Sequence, residues 1–191
     1  QLYHAPNNQS SPVILKDHIM FREMGARGNR GPTKDVVLVD KKTGEIVKEI
    51  EVGHVDYRAG HAPFAANEEI VVYPFGVQDI HNKPPVTQAF DRVIAKNIKT
   101  GQKLFEMYTG YTFAEPLLDN EGWVYQGTLE GYLYAWKGER RLGNRPKPNW
   151  TFRAEGAIND KAVVHGNFVL FGANDGTFYC LNKRSGELQW K

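Results

Sequence analysis

The sequence predicts an all-β fold, a β-propeller of four-stranded antiparallel blades with about four blades present. Three observations carry this prediction. Short apolar runs alternate with Gly, Asn, Asp and Pro turn signals along most of the chain. One such unit recurs four times, at offsets of 57, 40 and 45 residues. Repeats of roughly 40–50 residues, each holding several short strands, are the period of propeller blades.

The C-terminal copy is the clearest. Gly166 to Gly172 and Thr177 to Asn182 are apolar runs joined through Asn174-Asp175-Gly176. Asp-Gly readily takes the positive φ angles of a tight hairpin turn. A further strand follows the Ser185-Gly186 turn, and the last strand of this blade would begin only at Trp190-Lys191. The same order appears as Gly122 to Gly127, a turn at Glu130-Gly131, and Tyr132 to Trp136. A third copy runs through Ile70 to Tyr73, Arg92 to Asn97 and Thr100-Gly101 to Phe105. The first copy is Ile19 to Phe21, Val36 to Asp40 and Thr43-Gly44.

Aligned on the small or apolar residue two before the turn residue, the copies place Leu38, Ala95, Ala135 and Cys180 together. Two copies carry insertions between their second and third strands, Gly25 to Lys34 and about Phe75 to Asp91, where a hairpin tip tolerates extra length at small thermodynamic cost. Blades are expected over about 11–53, 61–110, 114–154 and 157–191, forming a single partial propeller domain over 1–191. Both ends cut into the repeat, and the chain opens Gln1-Leu2-Tyr3-His4, which reads as a processed or truncated start. The expectation is part of a seven- or eight-bladed propeller, with a half-propeller completed by a second copy or another chain, or a four-bladed ring, as the alternatives.

The string Asp/Asn-x-x-Thr/Ser-Gly-x-x-x-aromatic, seen as Asn97…Thr100-Gly101…Phe105 and as Asn182…Ser185-Gly186…Trp190, resembles the tryptophan-docking repeat of the pyrroloquinoline-quinone (PQQ)-like, or quinoprotein dehydrogenase-like, propellers. The resemblance implies that Phe105, Trp150 and Trp190 are structural docking aromatics between neighbouring blades. Two departures stand out: Lys48 occupies the first copy's aromatic position, and the third copy replaces its Thr-Gly turn with Lys137 to Pro148. The resemblance also implies an extracytoplasmic setting, periplasmic or secreted.

Quinoprotein dehydrogenases of that family hold PQQ with a pair of adjacent cysteines, a tryptophan floor and a calcium beside a catalytic Asp. This chain has one cysteine, Cys180, and no other string that fixes those ligands. The repeat alone does not carry the activity. The expected type is therefore closer to the non-catalytic outer-membrane assembly lipoprotein than to a complete dehydrogenase. No cofactor is expected, PQQ with calcium being the alternative, and the expected function is protein interaction or scaffolding. A fragment or subunit of a PQQ-dependent dehydrogenase, or an accessory propeller of an enzyme or cytochrome complex, is the alternative.

Composition narrows the rest. An apolar share of 41% with 4 Trp, 9 Tyr and 10 Phe supports a packed core. The balance of 24 basic and 22 acidic residues gives no global field toward nucleic acid or anionic lipid. Apolar runs of a few residues fall far short of the ~20 that cross a bilayer as a helix, so no transmembrane segment is expected. Partners are expected to be a protein or the remaining blades.

Among residues that bear chemistry, His54, Asp56 and His61 form the nearest thing to a metal cluster, on a loop between two blades where ordinary hydrogen bonding is the simpler role. Asn174-Asp175-Gly176 and Asp119-Asn120-Glu121-Gly122 read as turns rather than calcium loops, which need more oxygen ligands. Lys137, Arg140, Arg141, Arg145 and Lys147 face only Glu139 in a segment that replaces the repeat's tight turn. Arg140, Arg141, Arg145 and Lys147 are accordingly candidates for binding an acidic partner. Cys180, standing where the repeat asks for Ala, is expected to act as a small apolar filler.

Overall fold

A computed structural model of the chain describes residues 11–22, 36–52, 63–75, 90–137 and 147–191. Sixteen strands form four antiparallel four-stranded sheets, and no helix is found among the described residues. Each sheet takes consecutive strands in chain order. Blade 1 holds β1 (Val13–Ile14), β2 (His18–Arg22), β3 (Val36–Asp40) and β4 (Ile46–Ile50). Blade 2 holds β5 (Ala65–Ala66), β6 (Ile70–Phe75), β7 (Phe90–Asn97) and β8 (Lys103–Thr112). Blade 3 holds β9 (Leu117–Leu118), β10 (Trp123–Gly127), β11 (Tyr132–Lys137) and β12 (Trp150–Arg153). Blade 4 holds β13 (Val163–His165), β14 (Phe168–Gly172), β15 (Phe178–Asn182) and β16 (Leu188–Trp190). The strand read after Ser185-Gly186 is therefore the last of its blade, no further strand begins at Trp190-Lys191, and the strand the sequence reading leaves out is β13, ahead of Gly166. The bulge between Cys180 and Leu181 brings Leu188 opposite Leu181 and Trp190 opposite Cys180.

The second and third strands of each blade are rich in β-branched and aromatic residues, which suit a pleated surface buried on both faces. Val36 to Val39 and Trp123 to Gly127 are buried along their whole length. Alternating side chains then serve two neighbours, because successive residues of a strand point to opposite faces. One core joins blades 1 and 2 through Met20, Leu38, Val71 and Tyr73. A second joins blades 2 and 3 through Val72, Ala95, Val124 and Trp136. A third joins blades 3 and 4 through Tyr125, Leu133, Phe171 and Tyr179.

The third and fourth strands of blades 1, 2 and 4 are joined by one type of turn. Asp40, Asn97 and Asn182 each accept backbone N–H bonds on their side-chain oxygen, from Thr43 at 2.8 Å, Thr100 at 2.9 Å and Ser185 at 3.2 Å. The turn closes when Gly44, Gly101 and Gly186 donate to the carbonyls of Asp40, Asn97 and Asn182. Those glycines have φ of 70°, 70° and 74°, the left-handed region that glycine enters without strain. Such hydrogen bonds hold the Asp40 carboxyl below the usual carboxylate range, the Thr43 backbone bond contributing most.

Candidate interaction face

Register decides which side chains each blade turns toward the next. Leu38 lies opposite Lys48, Ala95 opposite Phe105, Ala135 opposite Trp150 and Cys180 opposite Trp190. The fourth strand of every blade thus offers one side chain at an equivalent place, beside a small or apolar residue of the third strand.

In blade 3 that side chain is Trp150. It is 8% exposed and reaches the turn of blade 4. Its Nε1–H donates to the Lys183 carbonyl at 3.0 Å, and a Cβ placed on Gly186 would lie 2.6 Å from Cδ2 and Cε3 of the ring. The indole therefore fills the space that any side chain at position 186 would need. The Tyr125 hydroxyl donates to the same Lys183 carbonyl at 3.4 Å, and burial pushes the Tyr125 phenol upward.

In blade 1 the equivalent side chain is Lys48. Its Nζ donates to the Lys99 carbonyl in the turn of blade 2, so it makes the polar half of the same reach. The apolar half is missing, and nothing lies within 4 Å of a Cβ placed on Gly101. Phe105 of blade 2 is partly buried and packs against the core shared with Trp136 and Val124 of blade 3.

A charge clamp reinforces the contact between blades 3 and 4. Lys183, 4% exposed, places Nζ 2.6 Å from Glu121 and 3.5 Å from Asp119. The hydrogen bond to Glu121 is the main cause that raises the Lys183 ammonium above its ordinary value, and the same bond lowers the Glu121 carboxyl. Ile98 stands at the equivalent turn position of blade 2, where it is buried in an apolar core. Lys41 stands there in blade 1, where its Nζ donates to the Leu15 and Lys16 carbonyls, so residue type at this position does not mark the pair. Asp119 also accepts the backbone N–H groups of Glu121 at 2.9 Å and Trp123 at 2.8 Å, the ordinary work of a turn aspartate.

Blade 4 repeats the pattern with nothing placed against it among the described residues. Register makes Phe168, Phe178 and Trp190 equivalent to Trp123, Leu133 and Trp150 of blade 3. The blade 3 residues are 5%, 0% and 8% exposed, whereas their blade 4 counterparts are 40%, 54% and 51% exposed. The Phe178 and Trp190 rings stack at 6.3 Å, and Val163 extends the apolar face. Cys180 lies in the same sheet but is buried, as Ala95 and Ala135 are at the matching places. Contiguous exposed apolar surface of this kind is uncommon on a folded soluble chain.

His54, Asp56 and His61 lie outside the described residues, as do Arg140, Arg141 and Arg145; Lys147 is described and exposed. Among the described residues no three His, Cys, Asp or Glu side chains converge on a possible metal position. The described residues do not fit the PQQ and calcium set. Cys180 is buried between strands, and the carboxylate of Asp119 is engaged by its own turn and by Lys183.

These four sheets have the β-propeller fold, and the comparisons with known proteins agree. The computationally designed Ika4 protein superposes with a TM-score of 0.63 at 17% identity, over 95% of this chain and 95% of that one. BamB from Moraxella catarrhalis superposes with a TM-score of 0.63 at 15% identity, over 96% of this chain and 52% of its own. The quinohemoprotein alcohol dehydrogenase ADHIIG from Pseudomonas putida HK5 gives a TM-score of 0.63 at 14% identity, over 95% of this chain and 33% of its own. The chain thus spans about half the length of BamB and a third of that dehydrogenase. No protein-family model and no curated protein matches the sequence.

Proposed function

We propose that this chain is a non-catalytic, extracytoplasmic propeller module that works by docking protein surfaces. The observation that carries the reading is the blade 4 face, where Phe168, Phe178 and Trp190 are exposed at positions that blade 3 buries against its neighbour. Aromatic side chains at such sites supply large contact area with little loss of rotamer entropy, which is why they dominate interface energetics. The extracytoplasmic setting follows the resemblance of the Asn182 to Trp190 repeat to PQQ-like propellers, and BamB supports it only as a neighbour in fold.

A second reading is favoured by the fold neighbour ADHIIG, in which these four blades would be part of a PQQ-dependent dehydrogenase. Reconstitution of the full-length protein that carries these blades with PQQ and calcium, followed by quinone absorbance and alcohol-dependent dye reduction, separates the two. The docking-module reading expects neither bound quinone nor dye reduction. Stoichiometric quinone uptake with dye reduction would overturn it.

A further inference from the structure

Within this chain the fourth-strand side chain of one blade and the turn of the next form a donor and a seat. Trp150 is seated on the turn of blade 4, and Lys48 reaches the turn of blade 2. Among the described residues, one donor and one seat are left over. Trp190 is 51% exposed, and the Asp40 to Gly44 turn has the same side-chain and backbone bonds as the occupied turns. Nothing lies within 4 Å of a Cβ placed on Gly44. The leftover donor is on blade 4 and the leftover seat is on blade 1.

We propose that the occupant of the blade 4 face is blade 1 of a second copy of this chain, and that two copies close head to tail into an eight-bladed ring. The proposal rests on the docking-module reading and names its partner.

The two ends match in more than the turn. Cross-strand pairing puts Ile14, Ile19, Val39 and Ile46 on the face of blade 1 opposite the one that packs on blade 2. Ile14 is 71% exposed and Ile46 is 43% exposed. Among the described residues, eight of the nine exposed large hydrophobics belong to blades 1 and 4, Tyr108 being the exception, and Ile14, Ile46, Val163, Phe168, Phe178 and Trp190 lie on the two outward faces. Seating Trp190 would bring its Nε1–H to the Lys41 carbonyl, the equivalent of the Lys183 carbonyl that Trp150 uses. With each copy supplying one donor end and one seat end, two contacts of one kind close the ring and leave neither end free.

Light scattering on the full chain, resolved by size-exclusion chromatography, tests this. The expected mass is twice the 21.7 kDa of the chain. Phe178→Glu/Trp190→Glu and Ile14→Glu/Ile46→Glu, all exposed positions, are each expected to give the single-chain mass with an unchanged far-ultraviolet spectrum. Mixing the two variants restores one native contact, so a weaker dimer is expected to reappear. A wild-type monomer would overturn the proposal, as would open-ended oligomers. A dimer that persists in Ile14→Glu/Ile46→Glu would also overturn it, because blade 4 would then be pairing with blade 4. Should a variant fail to fold, the wild-type mass alone still decides. A monomer without quinone binding removes only the second copy, whereas a dimer that reduces dye with PQQ removes only the non-catalytic reading.

Discussion

The indole of Trp150 occupies the space above Gly186, so that residue 186 has no room for a side chain and a backbone φ of 74° that favours glycine as well. Two separate constraints, one from each blade, thus meet at a single position in the sequence.

Gly186→Ala is expected to suffer both. Holding a residue with a Cβ in the left-handed region costs about 1–2 kcal/mol, and overfilling a packed contact costs about 1–3 kcal/mol more. Gly101→Ala has the same φ constraint with open space above it, so it is expected to lose only the first amount. Urea unfolding of the two variants, compared at unchanged slope, checks the difference.

Lys48→Trp is expected to stabilise the protein. The seat at Gly101 is open, and burying an aromatic side chain contributes about 1.5–3 kcal/mol before ordering costs. A net gain of about 1–2 kcal/mol corresponds to a rise of a few degrees in Tm for a chain of this size. Gly101→Val should cost more in the Lys48→Trp background than in the native one, which calorimetry of the four proteins would show.

The Lys183 clamp is expected to be sensitive to acid and to strong base. Glu121 is held below its ordinary value of 4.5, so its contribution is fully present above that pH and is lost as pH falls through the lower folded value. Lys183 is raised above 10.5, so its contribution is present below that pH and is lost as pH rises through the higher folded value. Lys183→Met should lower Tm by several degrees at neutral pH, and the gap from the native protein should close toward pH 3. Melting curves across that range decide it, and a gap independent of pH would assign the loss to packing alone.

Cys180 is expected to be unreactive in the folded chain. It is 2% exposed, and the matching residues Ala95 and Ala135 show that the site accepts a methyl group. Thiol titration with and without denaturant should show one reactive group only after unfolding, and Cys180→Ala should cost less than about 1 kcal/mol, the small end of the range for core truncation.

The sheets were legible in the sequence because strand, turn and period agreed: the apolar runs, the Asx-x-x-Thr/Ser-Gly turns and the spacing of Leu38, Ala95, Ala135 and Cys180 all pointed to one register. Position 48 was legible as a departure from the repeat, yet its function was not. A lysine carries no sign in sequence that its ammonium will reach a carbonyl in the next blade. The clamp of Lys183 with Asp119 and Glu121 escaped for a similar reason, since its partners are more than sixty positions away and meet only when two blades pack. An uncovered end blade follows from the expected partial propeller, but which side chains it would expose does not. Trp190 was legible as a docking aromatic, and the arrangement of whole blades adds Phe168 and Phe178 to its face and shows that nothing described covers them.

The central claim is that Trp150 is closed to solvent by the blade that follows it, whereas Trp190, its equivalent in blade 4, is open until a second copy covers it. Fluorine NMR of the protein labelled with 5-fluorotryptophan tests this directly, with four resonances assigned by single Trp→Phe variants and solvent exposure read from the H₂O/D₂O shift. In dilute protein the Trp150 resonance should be insensitive to solvent and the Trp190 resonance sensitive; on concentration Trp190 should become insensitive while Trp123, Trp136 and Trp150 stay unchanged. A solvent-sensitive Trp150, or a Trp190 that remains sensitive at every concentration, would contradict the account.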